Sequence, residues 1–177
     1  MRKSVLAVAL LGFLASAWSA NAAPLNIVAL GASNTAGRGQ GNHPGGVSRD
    51  QAFPAQLERM LAAKGYNAHI TNAGVSGNTN ADILARLDQA VPAGTKVVLL
   101  GTLGGRYNAR RLGQGDQNAE FASIMAKLRS RGIRIIPVGA AGLGRKHLLP
   151  DGVHLSAEGH GVVAARLLPS VIRALGR

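Results

Sequence analysis

The chain has 177 residues, 20 Lys and Arg against 8 Asp and Glu, a formal net charge of +12 and no cysteine. Without cysteine, a disulfide framework and thiolate metal sites are excluded. The basic residues are dispersed, with small clusters at Arg106, Arg110 and Arg111 and at Arg129, Arg131 and Arg134. They form no nucleic-acid-binding tail, and Phe53, Tyr66, Tyr107 and Phe121 are too few for base-stacking platforms, so no nucleic-acid partner is expected.

Met1 to Ala22 reads as a secretory signal peptide. Arg2 and Lys3 are followed by an apolar run from Val5 to Trp18 and by the small-x-small triplet Ala20-Asn21-Ala22, with cleavage before Ala23. That run, at about 15 residues, is short against the roughly 20 that span a bilayer. No later segment is long or apolar enough to cross, so no stable membrane insertion is expected. The product is expected to be exported, periplasmic or secreted, with a single domain over residues 23–177.

Apolar β-branched segments then alternate with helix-like ones, the pattern of a parallel sheet covered on both faces. Leu25 to Leu30 reads as the first strand. It opens onto "GASNTAG", Gly31 to Gly37, and then onto the glycine-rich insertion Gly37 to Val47, which reads as a mobile surface loop. Gln51 to Lys64 reads as a helix, with Phe53, Leu57, Met60 and Leu61 at helical spacing and Pro54 in its first turn. Ala68 to Thr71 is a second strand and Asn80 to Val91 a second helix. Lys96 to Leu100 is a buried third strand, and Gly101 to Gly115, with five glycines, reads as a long loop.

Asn118 to Arg131 follows as a third helix, with Gly132 as its stop. Ile133 to Val138 is a fourth strand, and Gly139 to Gly152 a second glycine-rich loop. Ser156 is placed to cap a last helix running to about Leu175, which Pro169 is expected to kink or interrupt. The expected architecture is a three-layer α/β/α sandwich around a parallel sheet of four or five strands, flavodoxin-like in winding.

In such a sheet ligands sit at the carboxyl ends of the strands. The loops there carry Ser33, then Gly77 and Asn78 in "NAGVSGNT", then "GGRYN" (Gly104 to Asn108), then Asp151 and His154 in "DGVH". Phosphate cradling fits poorly: "GASNTAGRG" lacks the Lys-Ser/Thr pair of a P-loop, and "GRGQGN" fails the dinucleotide spacing. A nucleophilic reading asks for a serine, a histidine and a carboxylate, and Asp151 and His154 are spaced to supply the last two. On spacing alone Asp151 serves equally well as a helix cap. His43 reads as a solvated loop residue. His147, His154 and His160 show no metal-ligand spacing, so neither metal nor cofactor is expected.

"GASNTAG", "NAGVSGNT", "GGRYN" and "DGVH", in this order and at these separations, resemble the four blocks of the SGNH hydrolase superfamily, also called GDSL esterases and lipases. The likeness is greatest to its exported arylesterase and lysophospholipase-like thioesterase branch. The resemblance covers essentially the whole chain after the leader. It implies Ser33 as nucleophile, His154 and Asp151 as its partners, and the backbone N–H groups of Ser33 and Gly77 as oxyanion donors.

Three positions depart from the family pattern. Ala32 and Asn78 stand where Asp is usual, and Gly104-Gly105-Arg106-Tyr107-Asn108 replaces Gly-x-Asn-Asp. Either Arg106 or, by way of a bulge, Asn108 is then the third oxyanion donor. The resemblance implies an enzyme acting on a small acyl ester or thioester, and the arginines near the third block suit an anionic one. The competing reading is a non-catalytic or weakly active envelope protein of the same fold that binds acylated or glycan ligands.

Overall fold

A computed structural model describes residues 24–38, 45–101 and 103–176. The expected leader Met1–Ala22, His43 and most of the insertion after Gly37 lie outside the described residues. Four strands, β1 (Leu25–Gly31), β2 (Ala68–Gly74), β3 (Val97–Gly101) and β4 (Arg134–Pro137), form one parallel sheet in the order β2-β1-β3-β4. Ile27 stands opposite Ile70 and Val97, and Val98 opposite Ile135. The sheet is the flavodoxin-like order with the smaller of the two expected strand counts.

Alternation along β1 and β3 sends side chains into two separate cores. Ile27, Ala29, Val97 and Leu99 pack against Phe53, Leu57 and Leu61 of α2 (Phe53–Ala62) and Val163, Leu167 and Val171 of α7 (Ala157–Ala174). Val28, Leu30, Val98 and Leu100 pack against the other layer. That layer comprises α3 (Asn80–Ala85), α4 (Leu87–Ala90) and α6 (Asn118–Ser130), which contribute Ile83, Leu87, Ile124 and Leu128. Because β1 and β3 are buried on both faces, they read as continuous apolar runs.

Three segments differ from the sequence expectation. The helix expected over Asn80 to Val91 is broken at Arg86, whose backbone (φ −101°, ψ 8°) leaves the helical region. The supposed loop Gly101 to Gly115 contains a helix, α5 (Leu103–Arg111). Its glycines serve close packing: a Cβ on Gly105 would collide with Asn80 Oδ1 of α3. Helix α7 reaches the expected end and is not interrupted at Pro169, with Leu167 and Val171 buried on either side of it.

Helix α2 starts without a side-chain cap of its own, since Ala52 has no oxygen to offer. His160 of α7 fills the gap: its Nδ1 accepts from Phe53 N–H at 3.2 Å, and its ring stacks on Phe53 with centroids 6.3 Å apart. Ser156 caps α7, its hydroxyl accepting from Gly159 N–H at 3.1 Å. Gly159 has no room for a side chain, because a Cβ there would collide with the His147 carbonyl. These contacts seat the amino end of α7, and the loop ahead of it, beside α2.

Candidate active site

Ser33 is the first residue of α1 (Ser33–Ala36), one turn of helix reached directly from β1 through Ala32. The strand-to-helix turn is tight at both ends. A Cβ on Gly31 would collide with the Thr35 hydroxyl, and Gly37 closes the turn at φ +82°, where its N–H donates to Ser33 O at 2.8 Å. Only glycine adopts that backbone readily. Ser33 is half-buried at the carboxyl edge of the sheet.

Asp151 and His154 lie on a closed loop between a single 3₁₀ turn (Arg145–His147) and α7. Its base is an isolated antiparallel bridge between Leu148 and Leu155, with Leu149 N–H donating to His154 O at 2.7 Å. Gly152, at φ +68°, turns the tip. Asp151 Oδ1 accepts from the backbone N–H groups of Val153 and His154, both at 2.9 Å, and Oδ2 stands 2.5 Å from His154 Nδ1. Asp151 is therefore both the turn residue that the spacing allowed and a partner of the imidazole.

Burial alone would raise the Asp151 pKa. The hydrogen bonds from the His154 ring and from the backbone of His154 and Val153 outweigh it and hold the carboxyl at about 2. A carboxylate at Nδ1 fixes the proton there and leaves Nε2 as the basic nitrogen. The side chain of His154 keeps 16% of its surface exposed, enough to be approached from one side.

Two bonds from Asn34 join this loop to the turn that carries Ser33. Its Nδ2 donates to Val153 O at 3.1 Å and its Oδ1 accepts from Leu155 N–H at 2.9 Å. Ser33 makes no side-chain hydrogen bond among the described residues.

The second block packs on the first. A Cβ on Gly74 would collide with the backbone of Thr35 and Ala36, and Val75 N–H donates to Gly31 O at 3.1 Å. Gly77, at φ +80°, sits in the turn that follows. Arg86 ties the two blocks together: Nε donates to Asn78 Oδ1 at 2.7 Å and an Nη donates to Gly31 O at 3.1 Å. Burial lowers its pKa below the ordinary arginine value, with the charge of Asp82 opposing the shift, and a guanidinium remains cationic there.

The two candidates in the third block part company. Asn108 Nδ2 donates to Asn78 O at 2.9 Å, so its carboxamide reaches the second block. The Arg106 guanidinium instead lies over the Phe121 ring of α6, 5.3 Å from its centroid. Arg110 is paired with Asp116 at 2.5 Å. Among the described residues no three His, Asp or Glu side chains cluster as metal ligands would. Beside Ser33 opens a small, mainly apolar cleft of about 60 Å³ between Ala32, Gly104, Val138, Leu155 and Val163.

The GDSL-like lipase/acylhydrolase family model matches residues 29–147, from β1 to the 3₁₀ turn. The chain belongs to this family. The matched span holds the first three blocks and stops short of Asp151 and His154. Within the family, the chain is similar to the esterase TesA of Pseudomonas aeruginosa, 30% identical over 94 residues. That alignment takes in 53% of this chain and 47% of TesA, so it spans about half the length of that relative.

Its fold is that of solved SGNH hydrolases. A crystal structure of TesA superposes with a TM-score of 0.70 at 20% identity, over 84% of this chain and 99% of that one. A mutant of the esterase AlinE4 gives 0.54 at 26% identity, over 85% and 74%. The psychrotrophic esterase EstA from Pseudoalteromonas sp. gives 0.59 at 14% identity, over 86% and 99%.

Sequence reasoning passed over two residues that hold this family member's site together. Asn34 lay in the first block without a role, and Arg86 was one polar position on an amphipathic helix. The available signal was local: a carboxamide directly after the candidate nucleophile, and an arginine eight residues after Asn78.

Proposed function

We propose that the chain is an exported serine esterase that hydrolyses carboxylic esters or thioesters through Ser33, His154 and Asp151. The observation that carries this reading is the 2.5 Å contact of Asp151 with His154 Nδ1, on a loop pinned to the residue after Ser33. His154 Nε2 takes the Ser33 proton as Oγ attacks the acyl carbon, and the carbonyl π electrons move onto oxygen. The N–H groups of Ser33 and Gly77 receive that oxyanion, each such donor being worth about 3 kcal/mol. Asn108 is the better third donor, since its amide already reaches the second block, whereas Arg106 is turned toward α6.

The tetrahedral intermediate collapses with the proton passing from His154 to the departing alcohol or thiol. Water, deprotonated by the same imidazole, then attacks the acyl-serine, and the acyl carbon–Oγ bond breaks as that proton passes from His154 to Oγ, releasing the acid and restoring Ser33. Asp151, ionised across the working range, holds the imidazolium and takes no proton. The small apolar cleft beside Ser33 suits a short acyl chain, and the positive charge of the chain suits an anionic substituent on the ester.

Turnover of p-nitrophenyl acetate, butyrate and octanoate, with a neutral and a carboxylated ester compared at equal chain length, tests the reading. Short esters are expected to be favoured, and kcat should fall by about 10⁴ or more in Ser33→Ala and His154→Ala. Wild-type turnover in Ser33→Ala would overturn it. The binding-protein alternative rests on Ala32, Asn78 and the altered third block, and it predicts a folded protein that retains ligands without turnover.

A further inference from the structure

The bonds inside the loop 147–156 fix its shape but not its place relative to Ser33. Leu149 N–H to His154 O, Gly152 N–H to Leu149 O and the two backbone bonds to Asp151 all begin and end within the loop. The Asn34 carboxamide is different. It donates to the carbonyl before His154 and accepts from the N–H after it, so one planar group grips the chain on both sides of the imidazole-bearing residue. Because both of its ends are used, flipping the amide would set NH₂ against N–H and O against C=O.

Asn34 also follows Ser33 in the same helical turn, whose backbone is fixed by Thr35 and Ala36 N–H groups donating to Ala32 O at 3.0 and 2.9 Å. One short side chain therefore bridges the backbones of nucleophile and base. Resting on the assignment of Ser33, His154 and Asp151 above, we infer that Asn34 is a positioning residue that places the His154 imidazole against the Ser33 hydroxyl. It acts through His154 and takes no part in the bond changes. Leu155, buried in the core, steadies the far end of the loop, so losing the clamp shifts His154 without unfolding α7.

The test is a double-mutant cycle on p-nitrophenyl acetate turnover with Asn34→Ala, His154→Ala and the pair. Asn34→Ala alone is expected to lower kcat by about 10²-fold with KM little changed, the size of effect expected from a misplaced base. In the His154→Ala background the same change is expected to cost less than about twofold, because the group it positions is gone. Equal costs in both backgrounds would overturn the inference, since a clamp that merely staples the loop acts whether or not the imidazole is present.

If Asn34→Ala does not fold, Asn34→Asp answers instead. It keeps the acceptor for Leu155 N–H, loses the donor to Val153 O, and should lower kcat about tenfold. Wild-type kcat in that variant would equally overturn the inference. If Ser33→Ala and His154→Ala themselves leave turnover intact, it is the esterase assignment that has failed.

Discussion

His160 shows how one side chain serves packing and titration together. It is 1% exposed, accepts from Phe53 N–H at the start of α2, and burial lowers its pKa from 6.5 to about 4, with a smaller repulsion from His154. Between those values the unfolded chain binds the proton that the folded chain refuses. Stability is therefore complete above about pH 6.5 and falls as pH drops toward 4, by up to ~3 kcal/mol. Chemical denaturation at pH 7.5 and pH 4.5 should show the loss, and His160→Gln should be less stable at pH 7.5 but flatter with pH. An unchanged slope in that variant would remove His160 as the cause. At the residue scale Ser33, Asp151 and His154 were legible only through the resemblance of their blocks to a known family, since spacing alone left Asp151 equally well a helix cap. The sequence did not expose Asn34, which bonds backbone atoms more than a hundred residues away, or Arg86, which bonds the Asn78 carboxamide and the Gly31 carbonyl.

Among the elements, β1, β3, α2 and α7 were legible because burial on two faces, or on one stripe, writes a periodic apolar pattern. Helix α5 was not. Its glycines read as loop, yet Gly105 is there so that α5 can lie against Asn80, and sequence alone cannot tell a glycine that bends the chain from one that admits a neighbour. Gly105→Ala should raise intrinsic helix propensity and still destabilise, by about 1–3 kcal/mol, because its Cβ meets Asn80 Oδ1. Urea denaturation measures it, and a variant as stable as wild type would mean that α5 stands off from α3. The break at Arg86 was hidden for a related reason: the residue leaves the helix while its side chain binds Asn78 and Gly31 O, a tertiary contact that overrides local propensity.

Across the whole molecule, the order β2-β1-β3-β4 brings the ends of β1, β2 and β3 to one edge, where the loop ahead of α7 meets them. Four stretches spread over more than a hundred residues are thus brought together, and the two cores lie beneath them. Chain order and the parallel sheet followed from the alternation of elements. The contact between the first and last blocks did not, because it depends on the two Asn34 bonds to the loop and on α7 seating against α2 through His160. Whether Ser33 is an activated nucleophile is read out by intact-protein mass spectrometry after reaction with a fluorophosphonate. A single phosphonyl adduct is expected that maps to Ser33, forms slowly in His154→Ala and is absent from Ser33→Ala. A folded wild-type protein that acquires no adduct, or acquires it elsewhere, would contradict that role for Ser33.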